Sequence, residues 1–153
     1  MVLQMRPHFI FNTMMSIYSL CNQDARKARQ VTLDFTTYLR KNFTAIASEK
    51  LIPFSEELEH TRAYLAVEQA QFDDMLVVDY DITVTEFCLP PLTLQPIVEN
   101  SGADFDPQDD NEPHIALNNI RQRLEMMCGG SMTIKPRVGG GTIVTVTIPD
   151  SGH

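Results

Sequence analysis

Apolar residues recur three and four positions apart from the start of the chain. Over residues 3–21 they fall at Phe9, Ile10, Met14, Ile17, Tyr18 and Cys21, one stripe of an amphipathic helix. Asn22-Gln23-Asp24 predicts a break, with Asp24 capping a second helix over 25–44 whose stripe is Ala28, Val31, Phe35, Tyr38 and Leu39. Two amphipathic helices with a short connection form an antiparallel hairpin. A hairpin cannot bury its stripe alone, so pairing with a second copy into a dimeric four-helix bundle is the natural solution.

The pattern then changes. Leu51-Ile52-Pro53-Phe54 reads as an extended link, and Ser55 as the N-cap of a third helix, with Glu56 and Glu57 suiting the positive end of its dipole. That helix is expected to reach about Phe72, with Leu58, Leu65 and Phe72 on one face. Leu76 to Val84 alternates and is rich in Val, Ile and Tyr, which predicts a strand. Pro90-Pro91 opens a short helix to about Asn100, Pro91 suiting its first turn. Residues 101–114 are acidic and full of turn formers, hence a loop. Ile115 to Met127 is again helical, with Ile120, Leu124 and Met127 on one stripe and Gly129-Gly130 as its stop. Ser131–Val138 and Thr142–Ile148 form a hairpin around Gly139-Gly140-Gly141. The class is α+β, a helical hairpin over 1–50 followed by an α+β unit over 51–153.

Composition narrows the function. A hydrophobic fraction of 43% with 21% charged residues suits a folded chain. The net charge of −8 argues against direct nucleic-acid binding, and Arg26, Lys27 and Arg29 are too few to reverse that. Cys21, Cys88 and Cys128 form no CxxC pair and no disulfide framework, which suits reduced thiols in a cytosolic setting. No apolar run spans a bilayer. The apolar pattern is already running by Leu3, as in a helix entered in mid-course. This is the pattern of a fragment whose upstream partner, a membrane segment among the possibilities, lies outside this chain.

Pro7-His8-Phe9-Ile10-Phe11-Asn12 resembles the PHFxFN phosphoacceptor motif of the LytS-like family of bacterial sensor histidine kinases. Tyr64-Leu65-Ala66-Val67-Glu68 with Phe72 is similar to the family's YLxIExxRF segment. Leu92-Thr93-Leu94-Gln95-Pro96-Ile97-Val98-Glu99-Asn100 is similar to its PxLLLQPLVEN segment, the N box of the ATP site. Leu117-Asn118-Asn119-Ile120-Arg121-Gln122-Arg123-Leu124 is similar to the GLxNxRxRL helix, and Gly141-Thr142 to the last box. The motifs stand in family order along most of the chain.

The resemblance implies a GHKL (Bergerat-type) α/β sandwich after the bundle, a homodimer, and ATP-dependent phosphorylation of His8. It further implies transfer to an aspartate of a response regulator with a LytTR-type output. Neutral imidazole is a competent nucleophile near neutral pH, and Asn12, four residues on, shares its helix face. Asn100 would match the N-box asparagine whose amide oxygen ligates Mg²⁺, Glu99 being the adjacent acid. By the same resemblance Gly102, Asn119, Arg123, Gly141 and Thr142 belong to the nucleotide site. Read without it, Glu99 and Asn100 are a polar helix end, the glycine run is a hairpin turn, and Arg121 and Arg123 are solvated.

The chain also departs from the family. Asn100 is followed at once by Ser101-Gly102-Ala103-Asp104-Phe105-Asp106-Pro107, which resembles the end of the glycine box and its continuation, with Asp104 replacing the second glycine. A helix end, two strands and the adenine-binding aspartate are thereby missing between residues 100 and 101. His114 and Ala116 stand where the next box has glycines. Three explanations are open: residues omitted from the chain, a shortened chain, or a degenerate kinase with little ATP affinity. Unpaired strand edges left by a natural deletion favour omission. A kinase, a scaffold that dimerises without binding nucleotide, and a phosphotransfer protein labelled only in trans all fit the residues.

Overall fold

A computed structural model describes residues 7–46, 48–72, 75–100 and 112–150. Among them the chain is α+β, with helices α1 (Pro7–Gln23), α2 (Ala25–Ile46), α3 (Phe54–Gln71), α4 (Leu94–Asn100) and α5 (Glu112–Cys128). Strands β1 (Ile52–Pro53) and β2 (Cys88–Leu89) form one small antiparallel sheet, and β3 (Ser131–Pro136) and β4 (Thr142–Thr147) another. Two compact units result. One holds α1, α2 and Leu58–Thr85; the other holds Ser48–Glu57 and the described residues from Glu86 onward.

In the first unit the turn between α1 and α2 is a single residue. Asp24 Oδ1 accepts the Lys27 N–H at 3.0 Å, the N-cap that the sequence predicts. Phe9 anchors the packing: its ring lies 5.1 Å from Tyr38, 6.2 Å from Phe35 and 5.2 Å from Tyr64. Such aromatic pairs add about 0.5–1.5 kcal/mol each beyond the area they bury. Ala28, Val31, Phe35 and Tyr38 are buried along α2, as their spacing predicts.

On α1 the single stripe divides. Phe9 and Thr13 turn inward, whereas Phe11, Met14, Met15 and Tyr18 form a second apolar stripe on the outside. The inner face of α3 also differs from Leu58, Leu65 and Phe72. Leu65 is buried and Leu58 half-buried, but Phe72 is exposed, and Glu57, His60, Thr61, Tyr64 and Val67 form the buried row. Polar side chains with partners waiting inside have displaced the apolar pattern.

The second unit is built on Leu117, Ile120, Leu124 and Met132, with Ile97, Ile134, Val144, Val146 and Ile148 packed against them. Gly129 closes α5 in the left-handed conformation (φ 66°), its N–H bonded to the Glu125 carbonyl at 3.1 Å. At Gly130 a side chain would lie 2.8 Å from the Thr147 carbonyl oxygen, so only glycine lets the strand pass.

Four boundaries differ from the sequence reading. Leu76–Val84 is not a strand. Its alternation survives as half-buried Leu76, Val78 and Ile82, but no neighbouring strand among the described residues takes its ladder bonds. α3 starts at Phe54, not after Ser55, because the Phe54 N–H is held by the Phe87 carbonyl at 2.9 Å. α4 starts at Leu94 rather than at Pro91, because Leu92 is left-handed (φ 56°). α5 starts at Glu112, so residues 112–114 are helical; 101–111 lie outside the described residues.

Asn42 and His60 form a buried pair, the Asn42 amide nitrogen 3.0 Å from His60 Nε2. Since that amide nitrogen only donates, Nε2 accepts and the ring is neutral. Burial, with the Lys41 charge second, lowers the His60 pKa from 6.5 to about 4. The unfolded chain therefore binds the proton more tightly than the folded one. Stability is full above about pH 6.5 and falls as pH drops toward 4, by at most about 3 kcal/mol. Urea titrations at pH 7.5 and 5.0 check this, and a His60→Gln variant is expected to lose less stability over the same interval.

Candidate functional site

Burying Phe9 sets the rotation of α1 and leaves His8, one residue earlier, exposed on the outside of the helix. One turn on, the Asn12 amide nitrogen lies 3.2 Å from His8 Nδ1 and 3.5 Å from Nε2. The amide N–H donates only to the unprotonated ring nitrogen, so the tautomer decides which of the two contacts is a hydrogen bond. Beside Asn12, buried Thr13 donates to the Phe9 carbonyl at 2.7 Å and accepts from Gln71 Nε2 at 2.8 Å. The end of α3 is thus tied to the helix that carries His8.

Glu99 and Asn100 end α4. Glu99 is buried, and its Oε2 accepts from Gln95 Nε2 at 3.0 Å. The start of α4 is held from elsewhere in the chain. Glu57, fully inaccessible, accepts the N–H groups of Leu92, Thr93 and Leu94 at 3.2, 2.6 and 2.9 Å. Thr93 Oγ1 donates to the Pro90 carbonyl at 2.6 Å. Arg123 Nη2, from α5, donates to the Pro91 carbonyl. Burial pushes the Glu57 carboxyl above its usual range, while the three N–H bonds and Arg123 pull it back. Burial likewise lowers the Arg123 guanidinium, against the attraction of Glu57.

The remaining predicted residues are dispersed. Arg123 is directed at Pro91 rather than into solvent, and Asn119 is exposed on α5. Gly141 is exposed at the tip of the β3–β4 hairpin, where the Arg137 N–H bonds its carbonyl at 2.9 Å, and Thr142 begins β4 opposite Pro136. Gly102 and the Asn100 side chain lie outside the described residues. Among the described residues no three His, Cys, Asp or Glu side chains converge as a metal site. Mg²⁺ keeps several waters and takes one or two protein oxygens beside the phosphates. The amide oxygen of an asparagine such as Asn100 is a hard donor of the kind that Mg²⁺ takes.

Sequence reasoning missed Glu57. It stands in the first turn of its own helix, where an acid is already accounted for by the dipole. The signal in Leu92–Leu94 was weak: after two prolines a short helix needs an acceptor for its first N–H groups, and Thr93 already offers one, although its hydroxyl in fact donates to the Pro90 carbonyl. The Gln71–Thr13 bond had no comparable signal.

A histidine kinase family model matches residues 1–76. The YwpD protein of Bacillus subtilis is 32% identical over 95% of this chain and 67% of its own length. The sensor protein LytS of Oceanobacillus iheyensis is 45% identical over 64% of this chain, and the sensor histidine kinase BtsS of Escherichia coli is 36% identical over 81%. The chain spans only 17% of that LytS and 22% of BtsS. The match to YwpD runs over 186 positions, more than the 153 residues of this chain, so YwpD carries positions with no counterpart here. No solved structure matches. Among the described residues no helix is long and apolar enough to cross a membrane.

Truncating the inward ring should expose how firmly α1 is set. Phe9→Ala is expected to cost about 3–5 kcal/mol of unfolding free energy. Asn12→Ala, at an exposed position, should stay within about 0.5 kcal/mol. Denaturant midpoints of the two variants against the parent chain check the contrast.

Proposed function

Because the chain belongs to the LytS-like sensor histidine kinase family, we propose that it is the catalytic part of a two-component sensor, phosphorylated from ATP on His8 and donating to a response-regulator aspartate. The observation that carries this reading is the outward-facing His8 with Asn12 on its ring, one residue from the buried Phe9 that orients them. We take residues 1–50 as the dimerisation and phosphoacceptor helices and 51–153 as a nucleotide-binding unit of GHKL type.

Several features support the finer points. The outer stripe of Phe11, Met14, Met15 and Tyr18, with Leu33 and Phe43 exposed on α2, is the surface that a four-helix bundle with a second copy buries. Bound Mg²⁺–ATP would supply the phosphoryl group together with the charge that shields it. Asn100 is the residue that would hold the metal, with Glu99 the catalytic acid beside it. We read the extra YwpD positions as family positions that this chain lacks, and place them after Asn100 on the family pattern alone. A LytTR-type regulator, and a cytoplasmic position behind a membrane sensor region, follow from the same family reading.

One observation favours a second reading. His114 and Ala116, which replace the family's glycines, lie within helix α5, where backbone is not free to wrap a phosphate. A dimerisation module that does not bind nucleotide accounts for that.

Incubation of the full-length natural protein with labelled Mg²⁺–ATP separates the readings. The kinase is expected to acquire acid-labile label, and His8→Gln to lose it. Label persisting in His8→Gln would move the phosphosite. Absence of both label and calorimetric nucleotide binding in the unaltered protein would leave the scaffold.

A further inference from the structure

The kinase reading uses His8, Asn12, Glu99 and Asn100, and gives no task to the most deeply buried carboxylate among the described residues. Glu57 is inaccessible to solvent, and withdrawing a carboxylate from water costs several kcal/mol unless bonds replace the lost hydration. Here they do: one oxygen takes the Thr93 and Leu94 N–H groups, the other the Leu92 N–H. Arg123 grips the adjoining Pro91 carbonyl, and Thr93 closes on the Pro90 carbonyl. All these groups belong to one compact unit.

What they hold is a turn that would not hold itself. Leu92 sits at φ 56°, a left-handed conformation that a branched side chain adopts only when its surroundings impose it. The turn leads directly into α4, so its shape sets the direction in which the seven-residue helix carries Glu99 and Asn100. Midway along α4, Ile97 packs on the core of the unit, so that the helix is seated at its start and its middle.

We propose that Glu57 is a positioning residue for the nucleotide–metal site, fixing through the Pro90–Leu94 turn the direction in which α4 presents Asn100 to Mg²⁺ with Glu99 beside it. The inference rests on the kinase reading and names a control on the same site. An outer group that orients metal-binding side chains typically accounts for 10- to 100-fold in metal affinity. Glutamine at position 57 keeps the shape but turns an amide N–H₂ toward backbone N–H groups, so the clamp loses an acceptor and gains a repulsion.

The test uses the full-length natural protein and the non-hydrolysable nucleotide AMP-PNP, followed by calorimetry with Mg²⁺ and with EDTA. Glu57→Gln is expected to weaken binding about tenfold with Mg²⁺ while leaving metal-free binding within about twofold. A merely structural role would lower the fraction of competent protein, and hence the stoichiometry, without this metal-selective change. Arg123→Lys, which keeps the charge but loses the fork on Pro91, should show the same selectivity more weakly and serves if Glu57→Gln does not fold. Unchanged affinity, or equal losses with and without Mg²⁺, would overturn the positioning role while leaving the kinase reading intact. No binding of AMP-PNP by the unaltered protein would overturn both.

Discussion

A carboxylate hidden from water must be answered by donors, and at Glu57 the donors are three consecutive backbone N–H groups far along the chain. That requirement organises the second unit. It ties the turn after Pro91 to Glu57, lets Leu92 take a conformation it would not choose, and gives the start of α4 an acceptor for its N–H groups. The β1–β2 pair lies just upstream on both segments, with Ile52 opposite Leu89 and the Phe54 and Phe87 rings stacked 4.6 Å apart. Backbone pairing and carboxylate therefore act on the same two stretches of chain.

The first unit obeys a different constraint. Its centre is aromatic, and Phe9 meets Phe35, Tyr38 and Tyr64. An inward Phe9 leaves its neighbour His8 nowhere to point but outward, so exposure of His8 follows from packing. The same rotation brings out Phe11, Met14, Met15 and Tyr18, a surface too apolar to be left to water. The exposed His8 and the outer apolar stripe thus share one helix and one cause.

Much of this was legible in the residues. The spacing of Ala28, Val31, Phe35 and Tyr38 gave the inner face of α2, Asp24 gave its cap, and the glycines gave the stop of α5 and the last hairpin. The pairing of His8 with Asn12 followed from four-residue spacing. What escaped was non-local. The buried row of α3 is Glu57, His60, Thr61 and Tyr64, and nothing within that helix announces that Asn42 or the Leu92–Leu94 backbone will answer it. Leu76–Val84 has the alternation of a strand, but a strand is a relation between segments, and its side-chain pattern does not guarantee a partner.

The left-handed Leu92 also bears on how the molecule assembles. Local preference works against that turn, and the contact that secures it joins residues 35 to 37 positions apart. Closing a loop of that length has an entropic cost before any bond is gained. α4 cannot acquire its direction from its own seven residues, so it is defined only after α3 has formed and the chain has come back to it. The segment that carries Glu99 and Asn100 is then among the late arrivals of folding, and its orientation reports whether the rest of its unit is in place.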